Sequence, residues 1–124
     1  MARILIVEDE PLISLMLEDW LTEMGHQPVG PIDSIEKALK FVESTPFDAA
    51  ILDVNIRARR SDPVAEVLQG RGIPFAFATG GSAEAVDERF AAAPTLRKPY
   101  DFDAIRRVAE LLTSEARAKE SLPD

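Results

Sequence analysis

Short apolar runs alternate with amphipathic stretches along the whole chain, and that alternation is the strongest constraint on its fold. Arg3–Val7 is continuously apolar after its first residue, as suits a strand buried on both faces of a parallel sheet. Pro11 then stands where it can open a helix, Ile13, Leu17, Leu21 and Met24 fall on one helical face, and Gly25 stops it. A weaker strand follows at 27–32. The next helix is capped by Asp33 or Ser34, has Glu36 in its first turn, and carries Ile35, Ala38, Leu39 and Val42. Pro46 closes that unit and the pattern repeats: strand 49–54, helix 63–68, then strand 75–78 entered through Gly72-Ile73-Pro74. After the Gly80-Gly81-Ser82 turn the spacing predicts a helix over 82–93, a strand over 95–97 and a last helix over 101–118 with Phe102, Ile105, Val108 and Leu112 inward. Parallel neighbours need helical crossovers, so five such units predict a doubly wound α/β fold around a five-stranded parallel sheet.

At 124 residues the chain is near the commonest size for one domain. The reading is one domain over 1–118, with 119–124 a flexible tail and fraying expected from Glu115 onward. Hydrophobic residues make up 46% and charged residues 29%, a globular balance, and the absence of cysteine excludes disulfide staples and thiolate metal sites. No stretch approaches the ~18 apolar residues of a membrane span, and the first residues lack a signal-peptide pattern. A soluble, cytoplasmic protein is expected. The formal net charge of -8 opposes phosphate backbones, so nucleic acid is not an expected partner and proteins are.

In sheets of this kind ligands bind beyond the carboxyl ends of the strands, where strand order reverses. Strand one ends at Glu8-Asp9, strand three at Asp53, strand four at Thr79, and strand five just before Lys98-Pro99. Carboxylates, a hydroxyl and an ammonium are therefore expected on one rim. Crowded carboxylates repel unless a cation neutralises them, and a hard divalent ion suits the need. Mg2+, or a similar ion such as Mn2+, takes oxygen ligands: Glu8, Asp9, Asp53 and a backbone carbonyl at Asn55 are the candidates. Asp53 could then attack phosphorus and become an aspartyl phosphate, with Lys98 pairing first with Asp53 and then with a phosphoryl oxygen, and Thr79 donating to that oxygen. Each feature also has a simpler account. Glu8 and Asp9 could cap a helix, Asp53 and Thr79 could be turn residues, and Lys98 a solvated side chain.

Taken together these residues resemble the receiver domain of two-component response regulators, from Ile4-Leu5-Ile6-Val7-Glu8-Asp9-Glu10 to Lys98-Pro99-Tyr100. The resemblance implies a flavodoxin-like strand order of 2-1-3-4-5 and Asp53 as phosphoacceptor. It further implies metal ligation by Asp9 directly and by Glu8 through water, switching by Thr79 and an essential Lys98. The donor would be a sensor histidine kinase or a histidine phosphotransfer protein. Phe77-Ala78-Thr79-Gly80 is similar to a stand-alone subfamily with a Phe-Ala-Thr-Gly signature, whose members pair with HWE-type kinases. The chain departs from the family pattern at Thr95, where most receivers carry an aromatic switch, and at Gly81, where the subfamily commonly has an aromatic. Reordering of helix 82–93 is expected to report activation instead.

Three further features stand apart. Arg57, Arg59 and Arg60 form a basic cluster close after Asp53, either a solvated loop or a contact for the donor's phosphohistidine. Leu12, Met16 and Trp20 make a second apolar stripe on helix one, either core or an interface for a helical bundle. His26, the single histidine, follows Gly25 in a turn and is not expected to carry phosphate.

The leading function is a single-domain phosphoacceptor that signals through altered protein contacts or drains phosphate from a kinase, and is not otherwise an enzyme. An aspartate-nucleophile phosphatase is the alternative, although its general-acid aspartate would fall at Asn55. A degenerate receiver that only binds is the other.

Overall fold

The computed structural model describes residues 2–80 and 86–121. Its strands and helices run β1 (Arg3–Val7), α1 (Pro11–Glu23), β2 (Gln27–Ile32), α2 (Ile35–Ser44), β3 (Ala49–Asp53), β4 (Asn55–Ile56), β5 (Arg59–Arg60), α3 (Asp62–Gly70), β6 (Phe75–Thr79), β7 (Thr95–Arg97) and α4 (Phe102–Ser121). The main sheet has the order β2-β1-β3-β6-β7 with every pair parallel. Setting aside the small β4–β5 hairpin, this is the expected 2-1-3-4-5 order.

Strand periodicity divides the core in two, because successive side chains point to opposite faces. Leu5, Val7, Leu52, Phe75 and Phe77 face α2 and α3 with Ile35, Ala38, Val42, Val64 and Leu68. Ile4, Ile6, Ile51, Ala76 and Ala78 face α1 and α4 with Leu17, Leu21, Ile105 and Leu112. β1, β3 and β6 lie inside the sheet and are covered on both sides, which is why they read as unbroken apolar runs.

Local chemistry sets the helix ends. Ser34 caps α2, its hydroxyl accepting the Lys37 N–H at 3.2 Å. Pro11 opens α1, and Gly25, at φ +89°, ends it while His26 N–H donates to the Leu21 carbonyl at 2.9 Å. His26 Nδ1 in turn accepts the Ala2 N–H at 3.2 Å, a role in joining the edge strand to the start of β1.

The structure differs from the sequence reading in two places. No α-helix forms over 86–93: a 3₁₀ turn at Glu88–Phe90 stands there, while the remainder of the helix expected over 82–93 lies outside the described residues. Asp87 is extended and accepts the Arg89 N–H at 3.0 Å, and Pro94 follows, so the turn begins late and cannot continue. Phe90 sinks between Phe75 and Phe77, with ring centroids 6.0 and 5.7 Å away, which fixes the turn on the sheet. The last helix, expected over 101–118, runs over Phe102–Ser121 as α4, and Glu115, Ala116, Arg117 and Ala118 favour helix.

On α1 the core reading of the second apolar stripe holds for two of its three members. Met16 and Trp20 pack partly buried against the core, with Trp20 edge-on to Phe102 at 5.7 Å. Leu12, the third member of the stripe, is exposed, as is Leu15. Finally, the segment after Asp53 is a hairpin. β4 and β5 pair antiparallel through Asn55↔Arg60 and Ile56↔Arg59, with Arg57 and Ala58 at φ 51° and 63° in the turn. Such a turn ordinarily selects Gly or Asn, so the sequence gives no sign of it.

Candidate functional site

The rim at the carboxyl ends of β1, β3, β6 and β7 gathers the residues expected there. Glu8 follows β1 directly and is anchored by its N–H to the Ile32 carbonyl at 3.0 Å. Asp53 is the last residue of β3 and Thr79 the last of β6, both buried. Lys98 lies just past β7, its N–H donating to the Thr79 carbonyl at 2.8 Å. Parallel pairing alone therefore brings together residues far apart in sequence.

Lys98 sits at the centre of the charge. Its Nζ lies 2.6 Å from Asp53 Oδ2, 3.3 Å from Glu8 Oε2 and 3.4 Å from Glu10 Oε1, with the side chain only 13% exposed. Burial works against the ammonium, but the hydrogen bond and charge of Asp53, joined by Glu8 and Glu10, outweigh it and hold the Lys98 pKa above its ordinary value. The opposite acts on Glu8. Burial, then the negative charge of Asp53, push its carboxyl up to about 7, against the Glu10 N–H and Lys98. An excess of carboxylate over cation favours the protonated form of the group that burial already raises.

The backbone fixes the remaining oxygens. Asp53 Oδ1 accepts the Asn55 N–H at 3.1 Å, and Glu8 Oε1 accepts the Glu10 N–H at 3.1 Å. Ser61, fully buried, donates its hydroxyl to the Asp53 carbonyl at 2.5 Å, and its N–H bonds the Val54 carbonyl at 2.8 Å. These bonds fold the loop after β3 back onto its own strand.

Carboxylate oxygens of Glu8, Glu10 and Asp53 lie within 4.8 Å of one another, a donor set that suits a hard divalent cation. Glu10 was visible as a third consecutive acid but does not figure in the expected ligand set. Asp9, which does, turns its Oδ2 to the Arg57 N–H at 2.8 Å. Asn55 sits two residues past Asp53 at the first position of β4, next to the cluster. Ser61 carried no sequence signal, because its contact depends on the hairpin.

The arginine cluster is accounted for within the chain. Arg57 donates to the Asp33 carbonyl at 2.9 Å and to Asp33 Oδ2 at 3.0 Å, Arg59 pairs with Glu36, and Arg60 with Asp62 at 3.3 Å. These ties fasten the hairpin to the β2–α2 turn and to the start of α3. Neighbouring cations hold Asp33 and Glu36 below the usual carboxylate range: Lys37 and then Arg57 act on Asp33, and Arg59 on Glu36.

A doubly wound sheet whose rim pairs a buried terminal aspartate with a lysine, beside an acidic pair from β1, defines a response regulator receiver, and the chain belongs to that family. It is 51% identical to SdrG from Sphingomonas melonis Fr1, whose solution structure matches 91% of this chain and 97% of its own with a TM-score of 0.82. The crystal structure of the response regulator TrrA from Thermotoga maritima, in complex with Mg2+-BeF, matches at 29% identity and a TM-score of 0.79, covering 90% of this chain and 99% of that one. The transcriptional regulatory protein PdtaR of Mycobacterium tuberculosis is 31% identical over 119 residues; the match takes in 93% of this chain and 58% of PdtaR's length. No family model matched the sequence. Among the described residues no helix is long and apolar enough to cross a membrane.

Proposed function

We propose that Asp53 is the phosphoacceptor of a Mg2+-dependent transfer from a phosphohistidine, carried by a sensor histidine kinase or a histidine phosphotransfer protein. The reading rests on one observation above the rest: Lys98 Nζ at 2.6 Å from Asp53 Oδ2, buried at the strand ends beside Glu8. In the transfer an Asp53 carboxylate oxygen bonds to phosphorus while the P–N bond to the donor imidazole breaks, its electron pair returning to nitrogen. A bound Mg2+ supplies charge neutralisation at the phosphoryl oxygens. Glu8 and Asp53, with Asp9 and the Asn55 carbonyl, are the residues to hold it, and Glu10 stands beside them. Lys98 then moves its hydrogen bond from Asp53 to a phosphoryl oxygen, and Thr79 donates to the same oxygen. Output is by altered protein contacts or by draining phosphate from a shared kinase in the cytoplasm. Phe77-Ala78-Thr79-Gly80 supports membership of the subfamily with that signature and an HWE-type kinase as donor.

A phosphatase built on the same chemistry needs a second acid two residues after the nucleophile. Asn55 holds that position and cannot protonate a leaving group. Reductive trapping of the acyl phosphate after transfer from a phosphorylated histidine kinase, followed by peptide mapping, tests the assignment. The adduct is expected on Asp53; an adduct on another residue, or none, overturns it.

A further inference from the structure

We propose that the β4–β5 hairpin is a clamp on Asp9 which metal loading must open. The inference rests on the reading of Asp9 as a metal ligand and concerns what restrains it. Arg57 is the pivot. Its main-chain N–H takes Asp9 Oδ2 at 2.8 Å, while its guanidinium reaches the β2–α2 turn at the Asp33 carbonyl and Oδ2, at 2.9 and 3.0 Å. The Arg59–Glu36 pair adds a second tie, from the hairpin to the first turn of α2.

The turn has reason to move if released. Arg57 and Ala58 both occupy left-handed backbone, at φ 51° and 63°, a conformation that side chains with a Cβ disfavour. Non-glycine residues stay there only where their surroundings hold them. Those surroundings are the Asp9 carboxylate on one side and Asp33 and Glu36 on the other. The bond to Asp9 is charge-assisted and therefore among the stronger ones available to a main-chain N–H.

The hold on Asp9 comes at the expense of the cation site. The convergent oxygens are those of Glu8, Glu10 and Asp53, and Asp9 is outside that group. A cavity of about 300 Å3 lined by Glu8, Asp9, Ile32, Asp33 and Lys37 gives a hydrated ion room beside Asp9. To ligate, Asp9 gives up the Arg57 N–H or draws the turn with it. Either way the tether and the metal oppose one another, and linkage makes that opposition mutual. Loading the metal loosens the hairpin and so changes the surface shared by the hairpin and the β2–α2 turn.

Direct titration with Mg2+ alone, by calorimetry or amide chemical shift, tests this on the wild type, Arg57→Gln and Asp33→Asn. Both substitutions weaken the same tether, Arg57→Gln by removing the guanidinium and Asp33→Asn by removing the charge of its Oδ2 partner, but one removes a positive charge near the site and the other a negative one. The clamp predicts that both variants bind Mg2+ more tightly, by about 2- to 5-fold, the range that corresponds to loss of one exposed ion pair. Shifts in opposite directions would mean a plain charge effect, and weaker binding by both would mean that the hairpin presents Asp9; each overturns the clamp and leaves the metal site standing. Hydrogen exchange at the Arg57 amide in the wild type should quicken with Mg2+, and unchanged exchange also overturns it. If Mg2+ fails to bind the wild type, or binds Asp9→Asn equally well, Asp9 is no ligand and both readings fall.

Discussion

Lys98 Nζ stands 2.6 Å from Asp53 Oδ2 and simultaneously within 3.4 Å of carboxylate oxygens from Glu8 and Glu10. One ammonium thus offsets three acids across strands that begin far apart in the chain. Removing it as Lys98→Ala leaves Glu8 and Asp53 buried and mutually repelling. Urea unfolding in chelator at pH 8 should show a loss of roughly 3 kcal/mol, the scale for breaking a buried ion pair from one side. Added Mg2+ should restore part of that loss. A variant as stable as the wild type would mean that the lysine has no part in holding the rim together.

Acid should stabilise the metal-free rim. The folded protein raises the Glu8 pKa from 4.5 to about 7, through burial and then the Asp53 charge. A raised carboxyl binds its proton more tightly when folded, so its stabilisation is complete below the unfolded value and is lost as pH rises through about 7. Unfolding free energy in chelator should therefore fall between pH 5 and pH 8. Glu8→Gln should flatten that slope, and Mg2+ should do so by displacing the proton. A slope unaffected by Glu8→Gln would place its origin elsewhere.

Ser61→Ala removes the donor to the Asp53 carbonyl from a fully buried position. An unsatisfied buried carbonyl costs about 1–3 kcal/mol, so the midpoint of denaturation should drop accordingly. Phosphorylation should slow as well, because the same bond folds the loop after β3 over the acceptor. Unchanged stability together with an unchanged rate would mean that this bond is dispensable.

Gly30 has φ +99°, and a Cβ there would come within 2.9 Å of both the Ile6 carbonyl oxygen and the Ile32 nitrogen. Gly30→Ala should cost about 2 kcal/mol through backbone strain and loosen β2 from β1. Faster amide exchange at Glu8, whose N–H bonds the Ile32 carbonyl at 3.0 Å, is the local readout. Wild-type exchange at that amide would contradict the expected loosening.

What was legible in the sequence follows from how each feature is encoded. β1, β3 and β6 announce themselves because burial on both faces demands unbroken apolar runs, and Glu8, Asp53 and Thr79 follow from where those runs end. The hairpin was hidden, since Arg57 and Ala58 are not turn residues and are held in left-handed backbone by tertiary contacts. With it went the role of Ser61, the pairing of the arginines and the turn of Asp9 away from the carboxylate cluster. The helix expected over 82–93 looked plausible by propensity. At 86–93 the Asp87 cap and the burial of Phe90 override propensity and leave a 3₁₀ turn. Local preference reads poorly wherever side chains from elsewhere set the backbone.

The central claim is that Asp53 is the phosphoacceptor, and intact mass after incubation with acetyl phosphate and Mg2+ tests it most directly. The account predicts one added phosphoryl group on the wild type, lost in chelator and absent from Asp53→Ala. Addition to Asp53→Ala, or no addition to the wild type, would contradict it.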